Sequence, residues 1–168
     1  MASTLIAYVS VSHGNTAKIA HAIGEVLSAD LLEPELVDPA VVSSYDILGV
    51  GSGIYGSTPH PRLRSFVRRL PPGDDMAAFT FTSSGFGRSQ SRPWEASLER
   101  LLRDRGYDVI GSFDCRGFDT WLPLRLIGGI NKGHPDADDL ARARAFGHEL
   151  ASRVAAQRGA GLSSHAGS

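Results

Sequence analysis

The sequence predicts a three-layer α/β fold in which helices cover both faces of a five-stranded parallel sheet. Short apolar runs alternate with amphipathic stretches five times along the 168 residues, which is the pattern of repeated strand–helix–strand units. The first run is continuous and rich in β-branched residues, as in a strand buried on both faces. Because connections between parallel strands are right-handed, few arrangements remain, and 2-1-3-4-5 is the natural strand order.

The predicted strands are short segments rich in apolar residues. Pro34 places the second strand at an edge of the sheet, because proline cannot donate a ladder hydrogen bond in a central strand. The five predicted strands are residues 4–9, 31–37, 45–51, 76–82 and 107–115.

The predicted helices carry apolar residues at helical spacing. They are residues 15–28, a segment that starts at Pro61, residues 93–106, and a last helix that starts near Asp136. Proline and carboxylates both favour the first turn of a helix. The side chains expected on buried helix faces include Leu63, Phe66, Val67 and Leu70 in the second helix and Leu140, Ala143, Leu150 and Val154 in the last.

The remaining segments define the domain organisation. Residues 1–157 are predicted to form one domain, since a chain of this length buries about 70% of its unfolded surface. The Ala/Gly/Ser-rich tail, residues 158–168, is predicted to be disordered. Residues 116–134 are too long for an ordinary connection. A lid, a short extra helix and a dimer contact all remain open for this segment.

Composition excludes several classes of function. The net charge is −1, so the chain offers no field for nucleic acid. The sequence shows neither a secretory leader nor an apolar run near the ~20 residues of a membrane span, so a cytoplasmic protein is expected. Cys115 is the only cysteine, which excludes an internal disulfide, and it is expected to be a small buried residue. The sequence offers no catalytic residue for assignment. It also offers no metal site, because the six histidines lack the spacing of zinc ligands.

The loop between the first strand and the first helix is a candidate anion site. Unpaired N–H groups and about half a positive charge at the helix N-terminus suit a phosphate. Neutral hydrogen bonds to a charged group contribute about 1.5–3 kcal/mol each. No Lys or Arg lies between Ser10 and Asn15, so the donors are hydroxyls and amides. The alternative is a capped helix start built from ordinary turn residues.

Two nucleotide-binding motifs are excluded by spacing. No segment has a glycine, four residues and then Gly-Lys-Ser/Thr, as a P-loop requires. Gly51 to Gly56 match Gly-x-Gly-x-x-Gly, but Pro59 and Pro61 follow, so the third glycine does not open a helix. Ligands of such sheets bind at the carboxyl ends of the strands, where residues 52–60 form a predicted loop.

The residues resemble the flavodoxin family over essentially residues 4–154. That family carries a Ser/Thr-x-Thr-Gly-x-Thr loop after its first strand for the phosphate of FMN, and residues 12–16 match its second half. His13 replaces the usual threonine. Together with Gly-Gly-Ile-Asn-Lys-Gly at 128–133, it makes the chain similar to a subfamily of flavodoxin-like oxidoreductases. The resemblance implies that the phosphate is held by Ser10, Ser12, His13, Gly14, Asn15 and Thr16.

The resemblance also implies that two further loops hold the flavin ring. Tyr55, beside Ile54, matches an aromatic residue that stacks on the isoalloxazine. Gly56 matches a glycine whose peptide turns over to accept a hydrogen bond from N5–H of the semiquinone. The second loop meets the pyrimidine edge, and Phe86 shields the other face of the ring. The residues of this second loop are Ser83, Ser84, Gly85, Phe86 and Gly87. The alternative is that Tyr55 and Phe86 are aromatic side chains packed on the scaffold.

Two redox functions remain open. The first is an electron carrier that cycles a non-covalent FMN between oxidised, semiquinone and hydroquinone states. The second is an FMN-dependent oxidoreductase of the quinone or protoporphyrinogen type, with residues 116–134 as a substrate cover. The near-neutral charge favours the second, since typical carriers of the family are strongly acidic. The expected partner is a redox protein or a small electron donor or acceptor, and a homodimer remains open.

Overall fold

A computed structural model describes residues 1–11, 14–55, 58–84, 88–116 and 133–165, with the backbone alone at residues 55, 88–92, 94, 116 and 160–165. The strands are β1 (Thr4–Val9), β2 (Asp30–Leu32), β3 (Ile47–Tyr55), β4 (Thr58–Pro59), β5 (Ala77–Ser84) and β6 (Asp108–Arg116). The helices are α1 (Asn15–Leu27), α2 (Pro61–Arg69), α3 (Arg88–Asp104) and α4 (Ala137–His165). Two 3₁₀ turns span Pro34–Leu36 and Pro39–Ser44.

The strands form one sheet in which β2, β1, β3, β5 and β6 lie side by side and are all parallel. Taken in chain order, these five strands lie in the order 2-1-3-4-5, so the predicted topology and the α/β fold class are confirmed. The two-residue β4 is the one described strand that the prediction lacks. It pairs antiparallel with the end of β3, through Ile54 with Pro59 and Tyr55 with Thr58.

Two apolar layers hold the sheet between the helices. Between the sheet and the pair α2 and α3, side chains such as Phe66 and Leu98 are fully buried. Between the sheet and the pair α1 and α4, Ile23 and Leu150 are fully buried. The apolar faces predicted for α2 and α4 are therefore buried as expected, although Leu140 is only partly so.

β3 contains glycines because aromatic side chains of β5 occupy the space beside them. Gly49 pairs with Phe79 and Gly51 with Phe81 in the parallel register. A Cβ on Gly49 would lie 2.4 Å from the ring of Phe79, and one on Gly51 would lie 2.3 Å from that of Phe81. The first glycine of the Gly-x-Gly-x-x-Gly match therefore has a packing role in the sheet.

The prediction of a loop at residues 52–60 is wrong for residues 52–55, which belong to β3. β3 extends beyond its predicted end and stops at Tyr55. The reason is a hairpin with β4, which Ser52 closes. The Ser52 hydroxyl donates to the Gly53 carbonyl at 2.8 Å and accepts from the His60 backbone N–H at 3.1 Å.

Two other boundaries lie away from their predicted positions. β5 continues through Ser83 and Ser84, because pairing with β6 overrides the turn preference of serine. α3 begins at Arg88, and Pro93, the predicted start, lies in its second turn. A proline at this position cannot donate the backbone hydrogen bond to the carbonyl of residue 89, so the start of α3 has one helical hydrogen bond fewer.

The remaining differences concern the edge strand and the end of the chain. β2 stops at Leu32, because Pro34 begins a 3₁₀ turn. α4 runs to His165, so the predicted boundary between residues 157 and 158 falls inside a helix. Of the long connection at 116–134, residues 117–132 lie outside the described part of the chain.

Candidate functional site

The carboxyl ends of β1, β3 and β5 meet at one edge of the sheet. Val9 pairs with Ser52, and Ser52 pairs with Thr82, so the residues after these three positions are neighbours. β1 ends at Val9, whereas β3 continues to Tyr55 and β5 to Ser84. The chain leaves β1 in one direction and β3 in the other, and the crevice at such a switch point is where ligands of doubly wound sheets bind.

The N-terminus of α1 lies at this edge. Gly14 has φ +66°, which suits glycine, and a Cβ there would meet nothing within 4 Å. The Ser10 hydroxyl accepts a hydrogen bond from the Ala17 backbone N–H at 3.2 Å, so Ser10 caps the first turn of α1 across the loop. Ser10 and Gly14 are thus both at the positive end of a helix, while Ser12 and His13 lie outside the described residues.

The first turn of α1 is buried against the sheet. Asn15 makes a polar interaction and is nearly inaccessible, and Thr16 is 2% exposed. The Thr16 Oγ1 lies 2.9 Å from the Ser83 Oγ, and Ser83 is 6% exposed. This hydrogen bond joins the predicted phosphate loop directly to the end of β5, a contact that the sequence did not predict.

The hairpin of β3 and β4 projects from the same edge. Ile54 is partly buried, and the backbone of Tyr55 pairs with Thr58. Immediately after β4, the His60 Nδ1 accepts from the Arg62 N–H at 3.2 Å and so caps α2. Burial, followed by the Arg62 charge, lowers the pKa of His60, which keeps that ring nitrogen an acceptor. Gly56 lies outside the described residues.

The predicted second flavin loop begins inside β5. Ser84 is buried, makes a polar interaction, and pairs in register with Arg116 of β6. Its neighbour Ser83 faces α1, as the contact with Thr16 shows. Gly85, Phe86 and Gly87 lie outside the described residues.

Two buried carboxylates lie behind this edge, on the α3 side of the sheet. Glu95 and Asp114 are only 7% and 8% exposed. The Thr82 hydroxyl donates to Glu95 Oε1 at 2.9 Å and lies 3.5 Å from Asp114 Oδ1. Sequence reasoning missed this group. The signal that could have found it is a polar residue in each of two strands predicted to be buried, Thr82 in one and Asp114 in the other.

A second polar group lies at the start of α4. Asp136 and Asp139 cap each other, through backbone N–H bonds of 2.9 and 3.1 Å. His134 Nδ1 lies 2.6 Å from Asp139, which also bonds Arg142. Burial opposes ionisation of Asp139, but these hydrogen bonds lower its pKa to about 2. The ligand atoms of His134, Asp136 and Asp139 lie close enough together to hold a metal ion, and in this structure the same side chains form the cap of α4.

Cys115 lies beside this cap, at 2% exposure. Burial, followed by the negative charge of Asp139, raises the pKa of its thiol to about 12. The prediction of a small buried residue is confirmed, and the raised pKa disfavours the thiolate form at this position.

Two sequence comparisons relate this chain to known proteins. The model of the flavodoxin domain matches residues 5–108. An uncharacterised protein of Methanocaldococcus jannaschii is 35% identical over 146 residues, which are 87% of this chain and 96% of that protein.

Solved structures share the fold at lower identity. The oxidised flavodoxin 1 of Bacillus cereus matches with a TM-score of 0.69 and 16% identity, over 89% of this chain and 97% of that one. An NADH:FMN oxidoreductase in its apo form matches with a TM-score of 0.59 and 16% identity, over 89% and 88% of the two chains. Among the described helices, none combines the length and the apolar character that a membrane crossing needs. The match of the domain model over more than half of the sequence shows that this chain belongs to the flavodoxin family.

Proposed function

We propose that this chain binds one FMN without covalent attachment at the carboxyl edge of its sheet and passes electrons through it. The observation that carries the proposal is the start of α1, where left-handed Gly14 and the cap from Ser10 open a helix N-terminus at the switch point of the sheet. Bound FMN would supply one-electron and two-electron chemistry. Burial raises the pKa of the Cys115 thiol to about 12, which disfavours the thiolate that thiol redox chemistry uses.

The start of α1 fits the phosphate end of FMN. Gly14 carries no side chain, and the space beside its Cα is open, so an anion can approach the helix N-terminus closely. Ser10 and Thr16 bring hydroxyls to the same turn. Backbone N–H groups and hydroxyls hold an anion without a counter-ion, as they do at other helix N-termini.

The two neighbouring strand ends fit the ring end of FMN. Ile54 and Tyr55 stand beyond the end of β1, beside the proposed phosphate position. Ser83 and Ser84 stand on the other side of β3, at the end of β5. We expect the ring to lie between these two segments, with Tyr55 against one face and residues 84–87 along its edge.

Titration of the purified protein with FMN tests this proposal. We expect flavin fluorescence to be quenched with one FMN bound per chain, and the FMN to be released on denaturation. Gly14→Val is the informative variant, because a β-branched residue resists a φ of +66° and would also fill the open space at the helix start. Gly159→Ala, in the exposed part of α4, is the control. A wild-type protein that binds no FMN overturns the proposal.

An FMN-dependent oxidoreductase that acts on a quinone or on a protoporphyrinogen-type substrate is the second candidate. The net charge of −1 favours it, because a carrier that docks on basic partners gains from a strong negative field. The solved NADH:FMN oxidoreductase shows that this fold also occurs in an enzyme. Steady turnover of a quinone with NADH would support the enzyme. Transfer of electrons to a redox protein only, with no turnover of small acceptors, would support the carrier.

A further inference from the structure

The hydroxyls of Thr16 and Ser83 form a pair that reaches from the first turn of α1 to the end of β5. We propose that Ser83 is a positioning residue, which holds the Thr16 hydroxyl as a donor to the phosphate of the flavin. The pair then selects phosphorylated over unphosphorylated flavin. This inference rests on the FMN site proposed above.

The position of the pair is fixed by burial on both sides. Ser83 alternates along β5 with residues of the opposite face, so it points to the same side as Phe79 and Phe81, where α1 packs. Thr16 lies in the first turn of that helix. The two oxygens are 2.9 Å apart and both side chains are almost inaccessible, so the hydrogen bond is shielded from bulk water.

The Thr16 and Ser83 hydroxyls carry two protons, and the hydrogen bond between them uses only one. Each hydroxyl has one proton to donate and two lone pairs to accept with. Either oxygen can be the donor in the Thr16–Ser83 bond, and that bond uses one proton. Within the described part of the chain, neither hydroxyl makes a second hydrogen bond. Because buried donors almost always find an acceptor, the second proton points to a group that binds at this edge.

The chemistry of the ligand decides the direction of the pair. A phosphate monoester dianion presents only acceptor oxygens, and the N-terminus of α1 attracts it. If Ser83 donates to Thr16, the Thr16 proton is free for that dianion. A hydroxyl that accepts one hydrogen bond is also a stronger donor in the next. Ser83 therefore acts on the phosphate through Thr16, without touching it.

Dissociation constants of FMN and of riboflavin, measured on the same variants, test this inference. For Thr16→Val we expect FMN binding to weaken by about ten-fold or more relative to riboflavin, since a hydrogen bond to a charged group is lost. For Ser83→Ala we expect a relative loss of roughly three- to ten-fold, since Thr16 keeps its proton but loses its orientation. In the double variant we expect no further loss beyond Thr16→Val.

Three control variants separate this role from a structural one. Ser83→Thr keeps the hydroxyl and should preserve the preference for FMN. Thr80→Val removes another buried hydroxyl of β5, which lies on the opposite face and has no hydrogen-bond partner in the part of the chain that the structure describes. This variant should leave both constants unchanged. If Ser83→Ala does not fold, as judged by circular dichroism, Ser83→Cys supplies a side chain of similar shape that donates weakly.

The outcomes distinguish this inference from the proposed function. Equal losses for FMN and riboflavin in Ser83→Ala would show that Ser83 serves the ring or the scaffold, and would overturn the inference while the FMN site stands. Additive losses in the double variant would overturn it in the same way. A wild-type chain that binds neither flavin overturns both.

Discussion

Gly51 and Phe81 are register partners on neighbouring strands, and the Phe81 ring fills the volume that a side chain at position 51 would need. Gly51→Ala should therefore lower the free energy of unfolding by about 1–3 kcal/mol, because the ring must move within a packed core. Urea unfolding followed by circular dichroism measures this change. Gly159→Ala is the control, since nothing lies within 4 Å of its Cβ position and alanine favours a helix by up to about 1 kcal/mol. A Gly51→Ala variant as stable as the wild type would show that the ring has room to move.

Two threonines on the same face of β5 should respond in opposite ways to removal of the hydroxyl. Thr80 is fully buried and its hydroxyl has no hydrogen-bond partner among the described residues, so Thr80→Val should be neutral or stabilise the fold by up to about 1 kcal/mol. Thr82 donates a hydrogen bond to the buried Glu95. Thr82→Val should therefore lower the free energy of unfolding by about 1–3 kcal/mol, because the Glu95 carboxyl group loses this donor. Urea unfolding of the two variants side by side measures the difference. Equal effects would contradict the role assigned to Thr82.

The stability of the fold should fall in acid partly through Asp139. Its pKa is about 2 against an ordinary value of 3.8. A carboxyl with a lowered pKa stabilises the folded state above its unfolded pKa, and this contribution is lost as the pH falls from about 4 through about 2. The linked free energy is about 2 kcal/mol. Asp139→Asn should therefore be destabilised near neutral pH, and its stability should approach that of the wild type near pH 2.

The pH dependence of unfolding in urea checks this expectation. The neighbouring Asp138→Asn is a suitable control, because Asp138 is exposed and, within the described ranges, makes no ion pair. A difference between wild type and Asp139→Asn that stays constant with pH would show that the variant acts through packing rather than through the charge.

Cys115 should be unreactive in the folded protein. Burial and the nearby Asp139 carboxylate raise the pKa of its thiol to about 12, and the thiolate is the form that reacts. A thiol reagent such as dithionitrobenzoate should label the native chain only as fast as it unfolds, whereas the chain in urea should react at once. Rapid labelling of the native protein, faster than its measured unfolding rate, would contradict the burial of this residue.

The sequence predicts the fold better than it predicts where each element ends. Alternation of apolar runs with amphipathic stretches predicts five parallel strands and their order, because both are set by local periodicity and by the handedness of the connections. It fails at Ser52 and at Ser83, which belong to strands although serine favours turns. In the parallel ladders Ser52 pairs with Thr82 and Ser83 with Cys115, which lie far away in the chain, and only the hairpin with β4 is local to Ser52.

The same division holds in the candidate site. The residue types of the loop between Ser10 and Thr16 and its place before a helix predict an anion site from the sequence alone, because a helix start and its polar caps are local features. The tertiary structure decides what each polar group touches. Thr16 meets Ser83, 67 positions away, and Thr82 meets Glu95 across the α3 side of the sheet. Contacts of this kind depend on how helices pack on the sheet, and packing is a property of the whole chain rather than of any segment in it.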